Sequence, residues 1–184
     1  LIQKYNEYGY RDAIILEDTV YKFDDKSVNV YLKIDEGRKY YHRNIDWVGN
    51  TVYTSDQLSR QLQIAKGDVY NQKKLMERLK ESKSEDAVSN MYQDNGYLFF
   101  MVDPVEARIE GDSIDLEMRL QEGRPATINR ININGNDRLY ENVIRRELRI
   151  KPGALFSKSD LMRSAREIAQ MGHFDPEKMG IEPL

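Results

Sequence analysis

The chain has no cysteine, so it can form neither a disulfide nor a thiolate metal site, and this absence leaves the compartment open. It has only two histidines, His42 and His173. Neither lies near a second ligand at metal spacing, so both read as surface or strand-end residues and no metal or other cofactor is expected. The glycines are scattered singly, which excludes a Gly-rich phosphate loop. No apolar run approaches the roughly 18–20 residues that a membrane helix needs. Positive charge is not in excess: 32% of residues are charged and the net charge is −3, which argues against nucleic acid as a main partner. The N-terminus lacks the basic-then-apolar form of a secretory leader and opens in mid-helix at Leu1-Ile2-Gln3. We expect a piece of a longer protein, so missing targeting signals say nothing of where the parent resides.

What the chain does have is an internal echo. The stretch IDEGRKYYHRNIDWVGN, Ile34 to Asn50, returns as LQEGRPATINRININGN, Leu120 to Asn136, 86 residues later. Beyond it, Leu58, Leu62, Ile64, Gly67, Tyr70, Leu75 and Met76 recur at the same offset as Ile144, Leu148, Ile150, Gly153, Phe156, Leu161 and Met162. Upstream, Tyr5–Tyr10 matches Tyr92–Tyr97 at an offset of 87. Apolar positions and turns kept at a fixed period, while surface residues change, mark tandem structural units. The ranges are 1–37, a helix end plus a hairpin; 38–124, a complete unit; and 125–184, the first part of a third. Units this small are near the lower limit for a self-sufficient core, so each is expected to lean on its neighbours.

Each unit reads β-α-α-β-β. Leu1–Tyr8 ends a helix closed by Gly9, and Tyr10–Phe23 forms a strand. Asp24–Ser27 turns the chain into an alternating strand, with Val28, Val30, Leu32 and Ile34 expected on one buried face. In the complete unit Tyr41–Val48 is a strand and Gly49-Asn50 a turn. Thr54 or Ser55 caps a helix to about Leu62, and Asn71 caps a second carrying Leu75, Met76 and Leu79. The polar run Lys80–Asp86 has no counterpart in the third unit and is expected to be exposed helix. Tyr97–Val102, the most apolar stretch, reads as a strand, and Ile114, Leu116, Met118 and Leu120 as the inward row of another. The third unit is expected to carry a strand through Ile128, Ile131 and Ile133, a helix with Ile144 and Leu148 buried, and a second helix from Leu161 to about Met171.

No catalytic constellation emerges. Asp24-Asp25 and Glu85-Asp86 are adjacent acids that point apart, and Ser157-Lys158-Ser159 sits where Asn71 caps a helix in the preceding unit. Two features invite binding. Tyr97, Leu98, Phe99, Phe100, Met101 and Val102 form either a strand covered on both faces or an edge strand whose open N–H and C=O groups and apolar side chains accept another chain. Arg145, Arg146, Glu147 and Arg149 form either a solvated helix face or a docking contact for an acidic partner, with Arg145 and Arg149 expected four residues apart on the solvent side of one helix.

The Gly-Asn turn after strand one, the Gly-x-hydrophobic turn between helices and the Gly-Tyr cap before strand two together resemble tandem POTRA domains. In particular, the chain resembles the periplasmic arm of BamA-type outer-membrane β-barrel assembly factors. INGNDRLYENVIRRELRIKPGALFSKSDLMRS and GHFDPEKMGIEP resemble the membrane-proximal unit of that arm. The resemblance implies an α+β fold in which each unit has a three-stranded mixed sheet with two helices packed on one face. It implies no catalysis and a place on the periplasmic side of a Gram-negative outer membrane. Its implied partners are unfolded outer-membrane β-barrel proteins bound by strand augmentation, accessory lipoproteins, and a C-terminal membrane barrel that these residues do not include. The accessible edge of such units maps to Tyr97–Val102 and to about Tyr10–Leu16, and a partner surface to Arg145, Arg146 and Glu147. Two alternatives remain at this point: the POTRA arm of a dedicated secretion transporter or division protein, and a fragment of a two-layer α+β enzyme. The partial units at the two ends also suggest that copies of the chain complete each other head to tail.

Overall fold

The computed structural model describes residues 1–80, 86–136, 139–174 and 179–181. It separates into two compact units, Leu1–Val88 with Val102–Gln121, and Ser89–Met101 with Glu122–Leu184.

In the first unit, α1 (Ile2–Glu7) is followed by the antiparallel hairpin β1 (Ile14–Lys22) and β2 (Val28–Asp35). Asp24 closes the hairpin turn, its Oδ1 accepting the Lys26 and Ser27 amides at 2.7 and 2.8 Å. Val20 pairs with Val30 and Ile15 with Ile34, the alternation that the sequence predicts. The predicted burial is not observed: Val28, Val30 and Leu32 are all exposed. Two strands alone supply backbone partners but no second layer, so neither face of the hairpin is covered.

The core of this unit forms around a three-stranded sheet in the order β3-β5-β4. β3 (Tyr41–Val48) runs parallel to the central β5 (Ser113–Gln121), and β4 (Met101–Glu110) reaches β5 through a two-residue turn. Strict alternation along β5 buries Ile114, Leu116, Met118 and Leu120 on one side. Two helices bring Leu58 and Leu62 from α2 (Ser55–Leu62), and Leu75 and Leu79 from α3 (Gln72–Leu79), into the same core. Each helix starts at the predicted residue: Thr54 and Gln57 form a reciprocal capping box, and the Asn71 side chain accepts the Lys74 amide. Trp47 joins β3 to α2 by donating its indole N–H to Ser59 Oγ at 2.9 Å. A register shift at His42/Asn44 lets Arg43 reach both Asp115 oxygens and Glu110.

The second unit holds α4 from Ser89 onward (Val88–Gln93), α5 (Glu141–Glu147) and α6 (Lys158–Gln170). Ser157 caps α6 by accepting the Asp160 amide, the role that Asn71 has on α3. The strand expected at Ile128–Ile133 is reduced to an isolated bridge between Thr127 and Leu155. A strand is held by its neighbour's backbone, and among the described residues of this unit no counterpart of β5 lies beside it. The helix expected over Lys80–Asp86 falls on residues 81–85, outside the described residues.

The joints repeat atom for atom. Tyr40 N–H donates to Gly9 O at 2.9 Å and Ala126 N–H to Gly96 O at 2.8 Å. The next rungs, Tyr70 N–H to Tyr40 O and Phe156 N–H to Ala126 O, are both 2.9 Å. After each strand position the asparagine side chain closes the turn, Asn50 onto Tyr53 O and Asn136 onto Leu139 O. The 86-residue echo is therefore a repetition of backbone contacts as well as of residue types.

Candidate binding edge and its groove

The sheet has two outer strands, and their edges differ. Along β3 the His42 amide donates to Asp68 O and the Gly67 amide to His42 O, so segment 67–70 already occupies part of that edge. Among the described residues, β4 has only β5 as a neighbour. Among the described residues, no backbone hydrogen bond outside the strand ladders involves Met101–Glu110. Pro104 within β4 suits this position, because a strand residue without an N–H is tolerated at an edge.

Between β4 and α3 lies a cavity of about 370 Å³ lined by Gln72, Leu75, Met76, Pro104, Glu106 and Leu116 among others. Leu75 and Leu116 are buried and give it an apolar floor. Glu106 and Tyr70 in its lining belong to a polar cluster. Arg11, just after α1, donates Nε to Glu106 Oε1 at 3.0 Å and a terminal nitrogen to Oε2 at 2.6 Å, and the Tyr70 hydroxyl donates to Oε1 at 3.2 Å. Burial, reinforced by the Glu106 carboxylate, pushes the Tyr70 hydroxyl up to about 12. Burial alone would lower the Arg11 guanidinium, but Glu106 outweighs it and the group stays above its ordinary value. Asp103, also in the lining, makes a looser pair with Lys80 at 4.0 Å.

The sequence-predicted edge is only partly this edge. Met101 and Val102 belong to β4, whereas Tyr97, Leu98, Phe99 and Phe100 precede it in a turn made by Leu98 N–H to Gly96 O and Phe100 N–H to Tyr97 O. The turn places Tyr97 edge-on and Phe100 face-on to Tyr92 of α4, and Phe100 and Val102 are buried while Phe99 and Met101 are exposed. A run of apolar residues does not separate a strand from an aromatic cluster, so the pattern alone predicts continuous strand. Asp103–Glu110, the rest of the open edge, went unnoticed as a site. Its signal was Pro104, since proline inside a strand pattern marks an edge.

Arg145, Arg146, Glu147 and Arg149 do not share one helix face. α5 ends at Glu147, Leu148 is extended, and Arg149 leaves the helix to bond Glu167 on α6 at 2.6 Å. The Arg149 amide donates to Ser164 Oγ. Arg145 is taken by Glu141 at 2.6 Å and by Ile131 O at 2.8 Å. Arg146 is the most exposed of the three arginines, in contact with Glu147 at 3.1 Å. His42 is buried rather than at the surface, in tilted contact with Tyr70, and among the described residues no three metal-ligating side chains gather.

A parallel strand, two capped helices and a hairpin, in that order, define the class of unit, and the backbone joint that opens it recurs at Gly96 and Ala126. The family model for POTRA, described as a surface antigen variable number repeat, matches residues 40–123 and 126–178, and the chain belongs to that family. It is 26% identical over 184 residues to the outer membrane protein assembly factor BamA of Neisseria meningitidis, covering 98% of this chain and 22% of that protein. It is 25% identical to a putative outer membrane protein assembly factor of Treponema pallidum, over 97% of this chain and 21% of that one. The chain thus spans about a fifth of the length of the curated relatives it matches. The crystal structure of Haemophilus influenzae BamA POTRA3-5 superposes with a TM-score of 0.73 at 21% identity, covering 95% of this chain and 67% of that one, a likeness of fold.

Proposed function

We propose that this chain is part of the periplasmic scaffold of an outer-membrane protein assembly machine, and that it receives unfolded β-barrel clients by strand augmentation along β4. The observation that carries this reading is the free backbone edge of β4 beside an apolar-floored groove, on a chain of the POTRA family whose relatives are named as outer membrane protein assembly factors. Pairing through main-chain groups is indifferent to most side chains, which suits a site that must hold many unfolded sequences. On this reading residues 1–37, 38–124 and 125–184 are successive POTRA units, and the parent protein continues into a membrane barrel. Met101 and Val102 lie at the start of the client-binding edge, with Tyr97–Phe100 as its lead-in. Arg146, with Arg145, Glu147 and Arg149 near it, is the proposed contact for accessory lipoproteins.

The test is an amide NMR titration of the whole chain with a peptide copied from one transmembrane strand of a barrel protein. Shifts along Asp103–Glu110 support strand addition at β4. Shifts confined to helix surfaces, or none at all, overturn it.

A further inference from the structure

The charge of the groove beside β4 is not set by the sheet and α3 alone, because Glu106 in its lining is paired with Arg11, which lies before the hairpin. Both Glu106 oxygens are occupied by one guanidinium, in the paired geometry that fits arginine to a carboxylate and that lysine cannot reproduce. Arg11 and Glu106 are each only about a third exposed or less, at 33% and 28%, so solvent and salt screen them less than a surface pair. Without Arg11, Glu106 would face the groove as a carboxylate bonded only to the Tyr70 hydroxyl.

We propose that Arg11 sets the charge selectivity of this groove. With Glu106 neutralised, the position of an incoming extended segment that faces it takes an uncharged side chain and disfavours lysine or arginine. A cation placed there would meet the Arg11 charge with no free carboxylate to answer it, and would lose hydration over the apolar floor of Leu75 and Leu116. This deepens the strand-addition reading and rests on it. The 87-residue offset that aligns Tyr10 with Tyr97 puts Leu98 in the place of Arg11, so the charge is particular to the groove of the complete unit rather than a part of the repeat.

The experiment measures binding of the whole chain to alternating Val/Thr strand peptides that carry, at each position in turn, either one leucine or one lysine. Wild type is expected to bind the best leucine peptide about tenfold more tightly than its lysine twin, and Arg11→Gln to reverse that order. Arg11→Lys keeps the wild-type order. Should Arg11→Gln fail to give a cooperative melt, Glu106→Gln serves instead: it removes the carboxylate from the groove and leaves Arg11 with Asp12 as its remaining acidic partner, so a glutamate peptide should gain about tenfold over the lysine one. If the peptides bind but the leucine-to-lysine ratio is the same with and without Arg11, charge selection is overturned and strand addition stands. If no peptide binds to wild type or variants, strand addition is overturned and the selectivity with it.

Discussion

The ring of Phe100 lies face to face on that of Tyr92, centroids 3.9 Å apart and planes 9° from parallel, and the Tyr92 hydroxyl continues the contact by donating to Glu122 at 2.8 Å. Both rings are buried, Tyr92 entirely. The stack makes the aromatic run before β4 a structural anchor, with only Phe99 and Met101 turned outward.

Phe100→Ala should therefore cost about 3–5 kcal/mol of stability, the range for emptying a packed aromatic site. Phe99→Ala, at a side chain 71% exposed, should change stability by no more than about 0.5 kcal/mol. Urea denaturation of the two variants checks the contrast. Equal losses would mean that Phe99 is as much core as Phe100.

Two glycines with left-handed backbones should respond unequally. A Cβ on Gly49, at φ +89°, would sit 2.5 Å from the Leu120 carbonyl oxygen, a backbone atom held in β5, whereas a Cβ on Gly67, at φ +90°, meets nothing within 4 Å. Gly49→Ala should cost at least about 2 kcal/mol more than Gly67→Ala, which carries the backbone strain alone. Thermal melts of the two variants give the difference directly.

His42 should make the protein acid-sensitive. It is buried, its Nδ1 has no hydrogen-bond partner among the described residues, and burial holds the imidazole below its ordinary 6.5; Asp68 opposes this shift and Lys74 adds to it. The unfolded chain takes up the proton first, so the His42 contribution is complete above 6.5 and is lost as pH falls from there toward the lower pKa of the folded group. The denaturation midpoint should drop between about pH 7.5 and about pH 5.5, and His42→Gln should flatten that slope.

The exposed hairpin and the covered sheet provide a further contrast. Val30→Thr, on an uncovered strand face, should change stability by about 0.5 kcal/mol or less, whereas Leu116→Ala, at 1% exposure in the middle of β5, should cost about 2–5 kcal/mol.

What could be read from the sequence depended on how local the cause was. Thr54, Asn71 and Ser157 cap their helices as expected, because a side-chain oxygen reaching an amide three residues on needs nothing from the rest of the molecule. The alternation of Val28–Ile34 and of Ile114–Leu120 likewise predicts two strands, each with one buried face, and only the second has one. Burial is a property of what lies opposite, and the two rows of apolar residues look alike until one is covered and the other is not. The turn at Tyr97–Phe100, where the pattern predicts strand, has a related cause. Tyr97–Phe100 carries enough apolar character for a strand, but its purpose is set by Tyr92, five residues before Tyr97, and the Arg11–Glu106 pair joins positions 95 residues apart that no local pattern links.

The repeated joint bears on how such a chain arises. The bonds from Tyr40 to Gly9 and from Ala126 to Gly96 run from main chain to main chain, and the residues that donate them, tyrosine in one case and alanine in the other, have no side-chain feature in common. A duplication with its crossover at these points would deliver each new copy with its connection already formed. Units of this kind can be added to or removed from an ancestral gene without waiting for a matching interface to evolve, and only afterwards does a contact such as that of Arg11 give one copy a character of its own.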